Sequence, residues 1–227
     1  MIYPPAAELL ERFSKELFLK ENDVVLIGGT AIAYHLKHRT SFDLDFVFPF
    51  CKHLPALEFL KSYNAKPLPF DQITIDMAVD EGGDIDKYHK RFSIDGVKVD
   101  FMVNPSSNLY ESEILKKGQG ISFNALHIAS LETLFVLKSL LLLDRNKVRD
   151  LYDIVYLIEY GGFSPKKIVE TIQKYRITYT DEDIINLIAA KKPDELDIET
   201  EGIMSAKMQT TDFWELKEKL LKALMKS

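Results

Sequence analysis

Only one cysteine, Cys51, occurs among the 227 residues, so no internal disulfide can form and the fold must stand on packing alone. The five histidines, His35, His38, His53, His89 and His127, show no zinc-ligand spacing, which argues against a zinc site. No apolar run is long enough to span a bilayer. The longest, Leu131 to Leu143, is interrupted by Glu132 and Lys138. With no secretory leader pattern either, a cytoplasmic location and no membrane partner are expected. Excess positive charge is also missing: 35 acidic against 29 basic residues give a net charge of −6, which argues against general adhesion to nucleic acid or anionic lipid. Any contact with a polyanion must then be local. Repeats and low-complexity tracts are absent, and what remains is a composition 46% hydrophobic and 28% charged, enough for one large domain or two small ones.

The most informative stretch runs from Gly28 to Phe48, GGTAIAYHLKHRTSFDLDFVF. Asp23 to Ile27 before it is a short, β-branched apolar run with the character of a buried strand. It ends at Gly28-Gly29, after which Thr30 is placed to cap a helix over Ala31 to Lys37. A glycine turn entering a helix leaves backbone N–H groups unpaired and aimed outward, which suits a phosphate. In the following strand, Asp43 to Phe48, alternation puts Asp43 and Asp45 on one face and Leu44, Phe46 and Phe48 on the other.

Elsewhere, Leu9, Leu10, Phe13, Leu17 and Phe18 fall at helical spacing over Ala6 to Leu19, a covering helix, and Leu57 to Tyr63 suggests another. Gln72–Val79, Tyr88–Ile94 and Val97–Val103 alternate as strands, the last two joined by Asp95-Gly96, a tight hairpin signal. From about Leu126 the pattern becomes helical: Ser130–Leu143, Lys147–Tyr160, Pro165–Tyr175, Glu182–Ala190 and Phe213–Met225, with an acidic loop from Lys192-Pro193 to Gly202. Ser164-Pro165 and Thr180 with Asp183 read as helix starts, and Gly161-Gly162 as a stop. The expected class is α+β, a mixed, partly antiparallel sheet flanked by helices over residues 1–125, followed by a helical bundle over 126–227.

A third carboxylate, Asp100, lies on a strand whose Val97, Val99, Phe101 and Val103 face a core, so that it projects from the opposite face with Lys98 and Met102. If that strand neighbours the Asp43/Asp45 strand, three carboxylates converge where one or two Mg²⁺ ions would suit phosphoryl or nucleotidyl transfer. Lys138 is surrounded by apolar neighbours and needs an anion, either a triphosphate or Asp150 and Asp153, which share a helix face. Arg149 reads as an ordinary ion-pair partner of Asp153, and Arg39 as either a phosphate contact or part of an exposed basic loop. The basic clusters Lys87 to Arg91, Lys116-Lys117 and Lys166-Lys167 read as solvated faces.

In chain order, Gly28-Gly29, Asp43 with Asp45, and Asp100 resemble the pattern of the nucleotidyltransferase superfamily with the DNA polymerase β-like fold. Within it, the stretch from Gly28 to Phe46, with Leu131 to Lys138 and Lys147 to Ile154, looks like the AbiEii/AbiGii toxin-like nucleotidyltransferases. The resemblance covers roughly residues 20 to 160 and departs at Gly29, where many members carry serine. It implies that Asp43, Asp45 and Asp100 hold Mg²⁺ or Mn²⁺ and, with Lys138, carry catalysis. It further implies that Gly28, Gly29, Thr30, Arg39, Ser41, Asp150 and Asp153 serve an NTP substrate, with the helical half completing the cleft. The implied reaction moves NMP to a hydroxyl of RNA, tRNA among the candidates, or of protein, as the toxin of a toxin–antitoxin pair with a small cognate antitoxin. An inactive nucleotide- or partner-binding member is the main alternative. A haloacid-dehalogenase-like phosphatase is a weaker one, since its Asp-x-Asp should end a long apolar strand, whereas His38 to Phe42 precedes the motif here.

Overall fold

The chain forms two compact units, Met1–Ser130 and Leu131–Ser227, in a computed structural model that describes residues 1–80, 83–103, 109–118, 120–192 and 210–226. In the first unit the described residues build a seven-stranded sheet from β1 (Val25–Ile27), β2 (Leu44–Val47), β3 (Lys66–Leu68), β4 (His89–Ile94), β5 (Val97–Met102), β6 (Ile121–Phe123) and β7 (Leu126–Ile128). The spatial order is β3-β4-β5-β2-β1-β7-β6. Two pairs, β1 with β7 and β2 with β5, run parallel, and the other four are antiparallel. The sheet is therefore mixed, as expected from an α+β sequence.

Alternation sorts the two central strands. Leu44, Phe46, Val99 and Phe101 are fully buried, and helix α1 (Pro4–Phe13) lays Phe13 over them, its ring centroid 5.6 Å from Phe46 and 6.0 Å from Phe101. Tyr63 adds an edge contact at 4.9 Å from Phe13. Each ring so buried contributes about 1.5–3 kcal/mol, and together they fix which face of the sheet is left for polar groups. Asp45 and Asp100 project from that other face.

The helix expected over Ala6–Leu19 breaks. After Phe13 the Ser14 hydroxyl turns back to donate to the Glu11 carbonyl at 2.8 Å, the Ser14 carbonyl accepts from Ala125 N at 2.7 Å, and a separate short helix, α2 (Leu17–Glu21), follows. Leu57 to Tyr63 is a 3₁₀ turn, Glu58–Tyr63. Helix α3 (Gly28–Leu36) follows β1 without an intervening loop. A larger correction concerns Gln72–Val79, expected as a strand, which is helix α4 (Gln72–Asp80). Its first turn is capped by Asp71, whose carboxylate accepts from the Thr74 backbone N–H and hydroxyl, each at 2.8 Å, and this local bond outweighs the β-branched alternation of Ile73-Thr74-Ile75. Two further helices, α5 (Ile85–Tyr88) and α6 (Leu109–Lys117), complete this unit. The Asp95-Gly96 hairpin forms as expected, with φ of 50° and 79° suiting a type I′ turn.

The short strand β7 pairs with β1, so residues 126–128 belong to the sheet and helices begin only at Leu131. The second unit contains α7 (Leu131–Asp144), α8 (Val148–Gly161), α9 (Lys166–Tyr175), α10 (Asp181–Ala190) and α11 (Thr210–Met225). Helix α7 packs against α8 and α9, and α8 against α11. The anticipated stops and starts appear: Gly162 at φ 78° ends α8, and Thr180 and Asp183 form a reciprocal capping box, the Thr180 backbone N–H donating to the Asp183 carboxylate at 2.9 Å. At α9 the helix starts one residue later than read, with Pro165 rather than Ser164 as the flanking residue. The acidic loop from Pro193 to Gly202 lies outside the described residues. Among those described, no helix is long and apolar enough to cross a membrane.

Candidate active site

Helix α3 begins directly on the two glycines. Ile27, in extended backbone, precedes it and its apolar side chain offers no cap, and the first N–H groups of the helix have no intrahelical partner. Gly28 has φ of +74°, and a Cβ there would collide with the Asp45 carboxylate. A Cβ on Gly29 would run into the Arg39 guanidinium, with the Ser41 hydroxyl 3.1 Å away. Gly28 is thus required by its backbone conformation, and the two glycines let the helix start lie against an acid on one side and a base on the other.

Thr30 has a different role from the one expected. It lies inside α3, not at its cap, and is fully buried. Its hydroxyl lies 2.9 Å from the Ser41 hydroxyl and 2.5 Å from the Asp43 carbonyl, to which it can donate. Thr30 and Ser41, itself 4% exposed, therefore pin the loop between α3 and β2 and do not present hydroxyls to a phosphate. The same loop is tied to the first residues of the chain, Tyr3 N donating to the Ser41 carbonyl and Ser41 N to the Met1 carbonyl.

On the sheet, Asp45 stands directly across from Asp100 in the parallel pairing of β2 with β5. Asp43 precedes β2 by one residue on the same face as Asp45, half-buried. Asp100 is 2% exposed and surrounded by basic side chains: its Oδ1 meets His89 Nε2 at 2.6 Å and Arg91 Nε at 2.9 Å, while Lys98 Nζ lies 3.0 Å from Oδ2. Burial pushes the Asp100 carboxyl up, but the His89 hydrogen bond and the Lys98 ammonium more than reverse this and bring it down to about 2. Such a group is a fixed anion and a poor proton acceptor near neutrality. Lys98 Nζ also lies 3.9 Å from Asp43 Oδ2, so one ammonium faces two of the three carboxylates.

His89, Arg91 and Lys98 were not among the expected site residues. A signal for Arg91 existed: a two-residue Asp95-Gly96 turn pairs residues whose numbers sum to 191, which places Arg91 opposite Asp100. Phe70 was also missed. Its ring is met edge-on by His89, centroids 4.7 Å apart, and lies 4.3 Å under the Arg91 guanidinium, which braces both side chains.

The donor set, all carboxylate oxygen, suits a hard divalent cation such as Mg²⁺. Asp100 Oδ2 is compatible with this fit: it is buried, and a cation, the Lys98 ammonium, already lies 3.0 Å from it. As the side chains stand, however, the described residues hold no group of three or more His, Cys, Asp or Glu drawn close enough to bind a metal.

In the helical unit, Lys138 on α7 is 4% exposed, with Nζ 2.5 Å from Asp150 Oδ1 and 2.8 Å from Asp153 Oδ2, both carboxylates buried on α8. Arg145 Nε adds a contact of 2.5 Å to Asp150 Oδ2. Despite burial, which raises it, the Asp150 carboxyl is held well below the usual range by Lys138 and Arg145. Of the two anions considered for Lys138, the described structure supplies the protein's own.

A mixed sheet with a glycine-opened helix beside strand-borne carboxylates defines a nucleotidyltransferase fold. The chain belongs to the AbiEii nucleotidyl transferase toxin family, described as that of a type IV toxin–antitoxin system, whose profile it matches over residues 8–226. This membership sets the phosphatase reading aside. A curated relative, an uncharacterized protein of Aquifex aeolicus, is 24% identical over 159 residues, covering 67% of this chain, and the chain spans 66% of that protein's length. Among solved structures, JHP933 from Helicobacter pylori is similar over 100% of this chain and 96% of its own, at 16% identity and a TM-score of 0.48. The Megavirus polyadenylate synthase is similar over 76% of this chain and 38% of its own, at 11% identity and a TM-score of 0.39.

Proposed function

We propose that the chain transfers a nucleoside monophosphate from an NTP to a hydroxyl of RNA or protein, with Mg²⁺ or Mn²⁺ held by Asp43, Asp45 and Asp100. The observation that carries this reading is the close approach of Gly28 to Asp45, which sets the N–H groups of a helix start beside a carboxylate whose neighbour across the sheet is Asp100. Phosphate oxygens need such donors, and the cation that accompanies a triphosphate needs such acceptors. In the reaction the acceptor hydroxyl oxygen bonds to the α-phosphorus, the bond from that phosphorus to the bridging oxygen breaks, and pyrophosphate leaves. A divalent ion, when bound, would acidify the attacking hydroxyl and offset charge on the leaving group. Arg39, beside Gly29, is suited to a phosphate oxygen. Lys138, Asp150 and Asp153 are proposed as mutual counter-ions that fix α7 against α8. Family membership further supports a toxin role opposed by a cognate antitoxin.

One observation favours the rival reading, binding without turnover: the three carboxylates do not form a ready metal cluster and Asp100 already has Arg91, Lys98 and His89 as neighbours. Incubation with each of the four α-labelled NTPs, Mg²⁺ and total cellular RNA or protein separates the two. The transferase reading expects label on a macromolecule with the wild type and none with Asp45→Asn. Label absent from both, with folded protein and several acceptors tried, would refute it.

A further inference from the structure

Three basic side chains surround Asp100, and they are not equivalent. His89 and Arg91 both contact Oδ1 and are braced by the Phe70 ring, so they fix the carboxylate's orientation and leave Oδ2 turned away from them. Lys98 is different. Its ammonium lies 3.0 Å from Asp100 Oδ2 and 3.9 Å from Asp43 Oδ2, and its side chain is 38% exposed. A lysine reaches such a place on a flexible four-carbon stem and can leave it for solvent, whereas a braced guanidinium cannot do so as readily.

We propose that Lys98 is a cation placeholder: its ammonium bridges Asp43 and Asp100 when no metal is bound, and a divalent ion binds only by displacing it. The inference rests on the metal reading above and deepens it by naming the residue that sets the ion's affinity. Without Lys98 the carboxylates repel one another, and a divalent cation relieves that repulsion in full; with Lys98 in place part of the relief is already present, and the ion must compete for it. His89 and Arg91 then act as positioning residues that aim Oδ2 toward whichever cation is there.

Binding of Mn²⁺, followed by the electron paramagnetic resonance signal of the free ion, tests this without reference to turnover. Lys98→Met should bind Mn²⁺ about tenfold more tightly than wild type. It should also melt at a lower temperature without metal and gain more from saturating Mn²⁺. Lys98→Gln serves if the methionine variant does not fold. Equal or weaker binding by the Lys98 variants, with binding lost in Asp45→Asn, overturns the placeholder and leaves the metal site standing. No binding in any variant, or undiminished binding in Asp45→Asn, overturns the metal reading and the placeholder with it.

Discussion

Gly28 and Gly162 share a left-handed backbone, at φ 74° and 78°, but differ in what a side chain would meet: the Asp45 carboxylate at the first, nothing within 4 Å at the second. Gly162→Ala should therefore cost only the backbone strain, about 1–2 kcal/mol. Gly28→Ala should cost more, about 2–4 kcal/mol, and also displace Asp45. Chemical denaturation of the two variants isolates the contact, and equal losses would deny Gly28 its special place. Asp100 makes a second residue-scale prediction. Its folded pKa, about 2, lies below the ordinary 3.8, so the charged form stabilises the fold above about pH 4 and that contribution, about 2 kcal/mol, disappears as pH falls toward 2. Asp100→Asn should flatten the fall in stability between pH 4 and pH 2; an unchanged slope would mean that its cationic neighbours contribute nothing to stability.

At the scale of elements, α7 and α8 are joined by one buried lysine and two buried carboxylates. Lys138→Met leaves both acids without that partner and should cost the helical unit about 3–5 kcal/mol by denaturation. A loss under 1 kcal/mol would show the triad to be dispensable for folding. Much of this architecture was legible in the sequence: the strand and glycine turn before α3, the Asp-x-Asp strand, the Asp95-Gly96 hairpin and five later helices all rest on local signals. Gln72–Asp80 was misread because Ile73-Thr74-Ile75 alternates like a strand, although Asp71 three residues before Thr74 offered a cap. The three-residue strands β3, β6 and β7 escaped because a run that short has no period of its own and forms only when a neighbour supplies hydrogen bonds. For the site, the carboxylates were legible from alternation. The destination of Thr30 was not, since it depends on a loop hydrogen bond across eleven residues.

For the molecule as a whole, a net charge of −6 means that the basic trio at Asp100 is a local exception in an acidic chain. Basic side chains interleaved with carboxylates suit a substrate that brings both phosphate and metal. The central claim is that the glycine-opened helix and the facing aspartates together transfer a nucleoside monophosphate. Its most direct test supplies one NTP in two forms, labelled at the α- or the γ-phosphorus, to wild type and Asp45→Asn. The account predicts that only the α-label becomes attached to the acceptor, with pyrophosphate released in equal amount and both signals lost in Asp45→Asn. Attachment of the γ-label, or transfer undiminished in the variant, would contradict it.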